Sequence, residues 1–168
     1  MNNIILIGMP AAGKSTTGVI LAKILKYGFI DIDLIIQEKT GRSLQEIIDS
    51  DGIEIFNKIE ENTVLGMNAE RAVIATGGSV VYSEKAMEHL RSLGKIVYLK
   101  LNCEEVEKRL DNIMTRGVVM KAGQTIRELY KQRVSLYEKY ADITADANTD
   151  SIERTAENII KNLQSGEE

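Results

Sequence analysis

Near the start of the chain, 8-GMPAAGKST-16 combines two glycines five positions apart with a lysine and two hydroxyl side chains. Glycines let a backbone turn sharply and approach a ligand, and successive N–H groups ahead of a helix N-terminus make a pocket for an anion. Residues Gly8 to Ser15 fit G-x-x-x-x-G-K-[ST], and they have the context this motif requires. The strand-like run 3-NIILI-7 precedes them and the helical pattern 14-KSTTGVILAKIL-25 follows. The expected ligand is a nucleoside triphosphate, ATP with Mg²⁺, cradled by Gly8, Ala11, Ala12, Gly13 and Thr16. Lys14 would reach the β- and γ-phosphates and Ser15 would bind the metal. Pro10, the only proline, fixes one φ and stiffens the loop. Ala11 and Ala12 supply N–H groups but resist positive φ, so both are expected in right-handed conformations.

Three further groups could complete a reaction site. In 28-GFIDIDLI-35, Asp31 and Asp33 are two residues apart. On an extended chain both would face one way, with Ile30, Ile32 and Leu34 facing the other. One carboxylate can support Mg²⁺ and the other can orient or deprotonate a substrate hydroxyl. In 73-VIATGGSVV-81, Gly77 and Gly78 either admit a ligand to the backbone or make a tight turn, and the residues alone leave both open. The segment 109-RLDNIMTRGVVMKAG-123 places Arg109 and Arg116 in a polar stretch ending near two glycines. That composition suits a lid, about residues 110–124, carrying a cation onto phosphates. Arg133 lies within the helical pattern 125-TIRELYKQRVSLYEKY-140.

These residues need a frame, and the hydrophobic pattern describes one. Short apolar runs at 3–7, 28–33, 71–77, 95–101 and, more weakly, 142–147 alternate with longer amphipathic stretches, including a tail at 151–163. Near-continuous Ile/Val/Leu strands separated by helices imply a parallel sheet covered on both faces. Ligands on such sheets bind at the carboxyl ends of the strands, so polar residues just after a strand are where chemistry is expected.

Composition narrows the classes. A chain of 168 residues with 43% hydrophobic and 27% charged residues suits one domain spanning 1–168. The net charge of -4 argues against an extended nucleic-acid or anionic-membrane surface. No apolar run approaches the roughly 20 residues needed to span a bilayer, and the start carries no basic region or cleavage site of a signal peptide. A single cysteine, Cys103, excludes an internal disulfide framework and fits a reducing cytoplasm. With one histidine, His89, a metal cluster or a histidine-based triad is not expected. A monomer is the default for a domain of this size.

In this order the motifs resemble the shikimate kinase family over nearly the whole chain. The resemblance rests on 8-GMPAAGKST-16, the D-x-D at Asp31 and Asp33, 41-GRSLQEIIDSDGIEIFNKIE-60, 76-TGGS-79, Arg116 and 132-QRVSLYEKYAD-142. It implies a three-layer α/β/α P-loop kinase fold with a five-stranded parallel sheet and a lid segment. The implied reaction moves the γ-phosphate of ATP to the 3-hydroxyl of shikimate. By the same resemblance, Lys14 and Ser15 serve phosphates and Mg²⁺, Asp31 supports the metal, and Asp33 holds the shikimate hydroxyls and acts as base. Gly77 and Gly78 would line the shikimate pocket and Arg133 would hold the substrate carboxylate. Arg116 would be the lid arginine, with Arg109 and the loop near Asn148 beside the nucleotide.

The chain departs from the family pattern on the acid-binding side. Asn57 stands where the family has an arginine that helps Arg133 grip the carboxylate. An amide cannot form a charged fork, and losing a charge-assisted hydrogen bond costs about 1.5–3 kcal/mol. Lys58 projects about 100° away around a helix and does not replace it. The third glycine of a G-G-G loop is Ser79, and the R-P-L-L of the lid reads 116-RGVV-119. Two alternatives stay open on this evidence: a related kinase acting on another small hydroxylated acceptor, and a nucleotide-binding module with little transfer activity.

Overall fold

The computed structural model describes residues 3–111, 117–149 and 151–165. Five strands form one all-parallel sheet in the order β2-β3-β1-β4-β5. They are β1 (Asn3–Ile7), β2 (Gly28–Asp31), β3 (Ala72–Ala75), β4 (Gly94–Lys100) and β5 (Ile143–Asp146). β1, at the centre, pairs Ile5 with Ile74 on one side and with Ile96 on the other, and all its residues are buried. Its unbroken apolar run is what a strand covered on both faces requires.

The helices are α1 (Lys14–Leu25), α2 (Ile32–Thr40), α3 (Leu44–Asp51), α4 (Ile53–Leu65), α5 (Glu84–Leu93), α6 (Cys103–Asp111), α7 (Ile126–Tyr140) and α8 (Ile152–Ser165). They complete the expected α/β/α sandwich. α1 packs against α8 and against β2 and β3, while α5 and α7 pack against β4. Two helix starts are fixed by reciprocal caps, Ser43 with Glu46 and Thr125 with Glu128. α1 approaches the sheet closely at Gly18, where a Cβ would lie 2.6 Å from Phe29 Cε2.

Two local expectations are overturned. The run 28–33 is not a continuous strand: β2 ends at Asp31 and α2 begins at Ile32. The Asp31 carboxylate caps α2 by accepting from the N–H groups of Asp33 and Leu34, which ends the extended conformation at the first aspartate of the D-x-D. Ile32 is therefore buried while Leu34 is 60% exposed, instead of sharing a face. Ala11, expected right-handed, adopts φ 65 in the left-handed region. Gly8 and Gly13, at φ 149 and 85, also have positive φ, so the loop turns left-handed at three of its residues.

Candidate active site

The loops leaving β1, β2 and β3 meet at the carboxyl edge of the sheet around a cleft of about 340 Å³. Gly13, Lys14, Ser15 and Thr16 form one wall, with Pro10 and Ala11 beside them. Asp33, Glu60, Gly77 and Gly78 line the cleft as well, together with Arg133, and Gly78 packs beside Pro10 of the loop. Val118 and Val119 also line the cleft. Arg116 itself lies outside the described residues.

In the first loop, a Cβ on Gly8 would lie 2.8 Å from the Leu99 carbonyl oxygen, so only glycine lets β1 turn out beside β4. Lys14 is buried, and its Nζ donates to the carbonyls of Gly8 and Met9, both at 2.9 Å. An ammonium has three donors, so one remains for a ligand. Burial pulls the Lys14 pKa down to about 8, against the opposing pull of Asp33. Ser15 Oγ donates to Asp31 Oδ2 at 2.6 Å. Sixteen positions separate these two residues, yet they meet as a hydroxyl and a carboxylate at one spot. Mg²⁺ takes few protein ligands and completes its shell with phosphate oxygens and water, and this pair fits it. Among the described residues no cluster of three or more His, Cys, Asp or Glu could hold a metal by protein alone.

Asp33 projects into the cleft from the first turn of α2 and not from a strand face. Its Oδ1 is buried without a hydrogen-bond partner, and burial raises its pKa to about 6, partly offset by Lys14. Glu60, on the buried stripe of α4 with Phe56, Thr63 and Val64, was not among the expected site residues. Ser79 Oγ donates to Glu60 Oε2 at 2.8 Å, whereas Oε1 is buried and unpartnered. Burial lifts the Glu60 pKa to about 7, the Ser79 bond opposing it. A carboxylate in register with Phe56 and Val64 on the core-facing stripe is the sequence signal that marks it.

The glycine pair has a packing reason, which the residues alone did not supply. A Cβ on Gly77 would lie 2.2 Å from Glu60 Oε1 and 3.2 Å from Asp33 Oδ1. A Cβ on Gly78 would lie 2.8 Å from Arg133 Nη1. The two carboxyls and the guanidinium therefore converge on a backbone that has no side chains to fill the space. Tyr137, one turn after Arg133, donates its hydroxyl to the Gly78 carbonyl at 2.6 Å and stacks on Tyr98.

Three expected residues lie back from this cleft. Arg109 belongs to α6, where Glu105 holds its Nε at 2.8 Å, and its Nη1 donates to the Ala11 carbonyl at 3.1 Å. It braces the first loop from behind. Asn148 bridges the ends of β4 and β5, accepting from the Asn102 N–H and donating to Asp146. Asn57 lines a separate cavity of about 160 Å³ with Tyr82, Val119 and Gln132.

The family model for shikimate kinase matches residues 10–164 of the chain. A shikimate kinase of Clostridium botulinum (strain Okra / Type B1) is 39% identical over 153 residues, covering 88% of this chain and 89% of the relative. One of Thermodesulfovibrio yellowstonii is 36% identical over 167 residues, covering 98% and 96%. Among solved structures, a shikimate kinase from Acinetobacter baumannii in complex with shikimate superposes with a TM-score of 0.92 at 30% identity, covering 99% of this chain and 94% of that one. The glycine-lysine loop, the paired aspartates, the glycine pair and Arg133 thus stand in a fold shared with these enzymes, and the chain belongs to the shikimate kinase family.

Proposed function

We propose that this protein transfers the γ-phosphoryl group of ATP to the 3-hydroxyl of shikimate, releasing ADP and shikimate 3-phosphate. The observation that carries the reading is one cleft lined by Lys14 and Asp33 together with the Gly77–Gly78 backbone and Arg133. Family membership supports the same substrates.

In this mechanism Gly8, Ala11, Ala12, Gly13 and Thr16 cradle the triphosphate, and Lys14 turns its free donor onto the β- and γ-oxygens. Ser15 and Asp31 would hold Mg²⁺, which neutralises charge on the phosphates. Asp33 orients the acceptor hydroxyl and takes its proton as that oxygen bonds to the γ-phosphorus and the bond to the β–γ bridging oxygen breaks. Its unpartnered Oδ1 supplies the acceptor. Arg133 pairs with the substrate carboxylate, with Asn57 at the edge of that subsite, and the N–H groups of Gly77 and Gly78 close the acceptor pocket. Arg116 carries a second cation to the phosphates from a lid at about 110–124. Arg109 and Asn148 border the nucleotide through the loops they brace. Residues 1–168 work as one domain, a cytoplasmic monomer without nucleic-acid or membrane partners.

The test is ADP release by purified protein with Mg²⁺ and ATP, with and without millimolar shikimate. Shikimate-dependent turnover is the expected result. ATP binding without stimulation by shikimate overturns the acceptor assignment. The second reading, another small hydroxylated acceptor, would then gain from the acid end, where Arg133 and Lys14 are the only cations lining the cleft among the described residues.

A further inference from the structure

Arg133 is 1% exposed, yet no carboxylate pairs with it among the described residues. Neutral groups hold it instead. Its Nε donates to the Tyr82 hydroxyl at 3.3 Å and its Nη2 to the Val119 carbonyl at 2.7 Å. The guanidinium carbon lies 5.3 Å from the centroid of the Tyr82 ring. Nη1 lies beside the bare backbone of Gly78, near the Tyr137 side chain. A planar guanidinium fixed at two of its three nitrogens presents the third in one direction, here toward the cleft.

Tyr82 ends the 3₁₀ turn Val80–Tyr82, which begins right after Ser79. It is 40% exposed and contributes little to the core. Its other side lines the cavity that holds Asn57, whose Oδ1 is buried and unpartnered. Tyr82 therefore touches the surviving cation and also shares a cavity with the amide at the position where the family pattern has a second one.

We propose that Tyr82 is a positioning residue for Arg133, its ring face and hydroxyl aiming Nη1 at the carboxylate of the acceptor. A tyrosine can do this without neutralising the guanidinium: the ring attracts the cation through its quadrupole and the hydroxyl accepts from Nε. A carboxylate in the same place would compete with the substrate's own. The inference rests on the reading that the acceptor is a hydroxylated carboxylic acid.

Steady-state kinetics with both substrates varied test it. Tyr82→Phe keeps the ring and removes the acceptor, and its KM for shikimate should rise about 3- to 10-fold. Tyr82→Leu removes both and should raise it about 10- to 50-fold. In each, kcat and the KM for ATP should stay within about twofold of wild type, with an unchanged melting temperature. Arg133→Lys should raise the shikimate KM by itself, and adding Tyr82→Phe to it should change that KM by less than about twofold, because a lysine offers no Nε to hold. Equal effects on both substrates, additive effects with Arg133→Lys, or a wild-type KM in Tyr82→Phe each overturn the positioning role. If instead the wild-type protein shows no shikimate-dependent turnover, the acceptor assignment falls and Tyr82's role with it, a result distinct from active wild type with indifferent variants.

Discussion

At the scale of single residues the cleft is organised by buried charge that lacks full compensation. Burial is the main cause of the shifts in Asp33, Glu60 and Lys14, and each shift is partly offset by a neighbour of opposite charge or by a hydrogen bond. Asp33 accepts a proton only when ionised, so kcat/KM should fall about tenfold per unit as the pH drops below about 6. Asp33→Asn should lower kcat about 10²- to 10⁴-fold while calorimetric ATP affinity changes little, and full turnover in that variant would remove Asp33 from the base role. Asn57 lies one helical turn before Glu60 on α4, beside a cavity with room for a longer side chain. Asn57→Arg should therefore lower the shikimate KM about 10-fold by restoring a charged donor, and an unchanged or raised KM would show that the cavity does not serve the carboxylate. Ala11 adopts φ 65, which costs a non-glycine residue about 1–2 kcal/mol. After the entropy that glycine restores to the unfolded chain, Ala11→Gly should stabilise the protein by about 0.5–1 kcal/mol, read as a rise in melting temperature of about 1–4 °C.

At the scale of elements, function depends on where secondary structures stop. The D-x-D pattern suggested two carboxylates on one strand face, and the alternation Ile30, Ile32, Leu34 agreed with it. A strand and a helix N-terminus both accept that spacing, however. The Asp31 cap on the Asp33 and Leu34 N–H groups decides for the helix and gives the two aspartates different surroundings. Asp31 stays beside Ser15, while Asp33 turns into the cleft. Close approach between elements is equally specific. Gly18→Ala gains about 1 kcal/mol in helix propensity but drives a Cβ against the Phe29 ring. Overpacking costs about 1–3 kcal/mol, so a net loss of up to about 2 kcal/mol is expected, seen as a lower midpoint in urea. A midpoint above wild type would mean that Phe29, on the edge strand β2, swings away freely.

At the scale of the whole molecule, the site makes stability depend on pH. Folded Asp33 and Glu60 hold protons up to about pH 6 and 7, whereas the unfolded chain releases them near 4. The native state binds more protons across that window, so stability falls as pH rises from about 4 to 7 and then levels. Lys14 acts oppositely at higher pH: its folded pKa of about 8 lies below its unfolded value, and its contribution increases between about 8 and 10.5. Glu60→Gln keeps an acceptor for Ser79 and removes the buried charge. It should match wild type near pH 4.5 and exceed it by about 1–3 kcal/mol at pH 8 in chemical denaturation, and equal stability at both would show that Glu60 is not strained by ionisation. The order of elements, the parallel sheet and the phosphate loop were legible in the sequence, because hydrophobic period and the glycine-lysine spacing are local properties. The linear chain alone did not disclose Glu60 facing Asp33 across Gly77, Tyr82 on Arg133, or Arg109 bracing the loop from behind. Each of those contacts joins residues far apart in sequence, and only the packing of helices around the sheet decides which buried charge meets which partner.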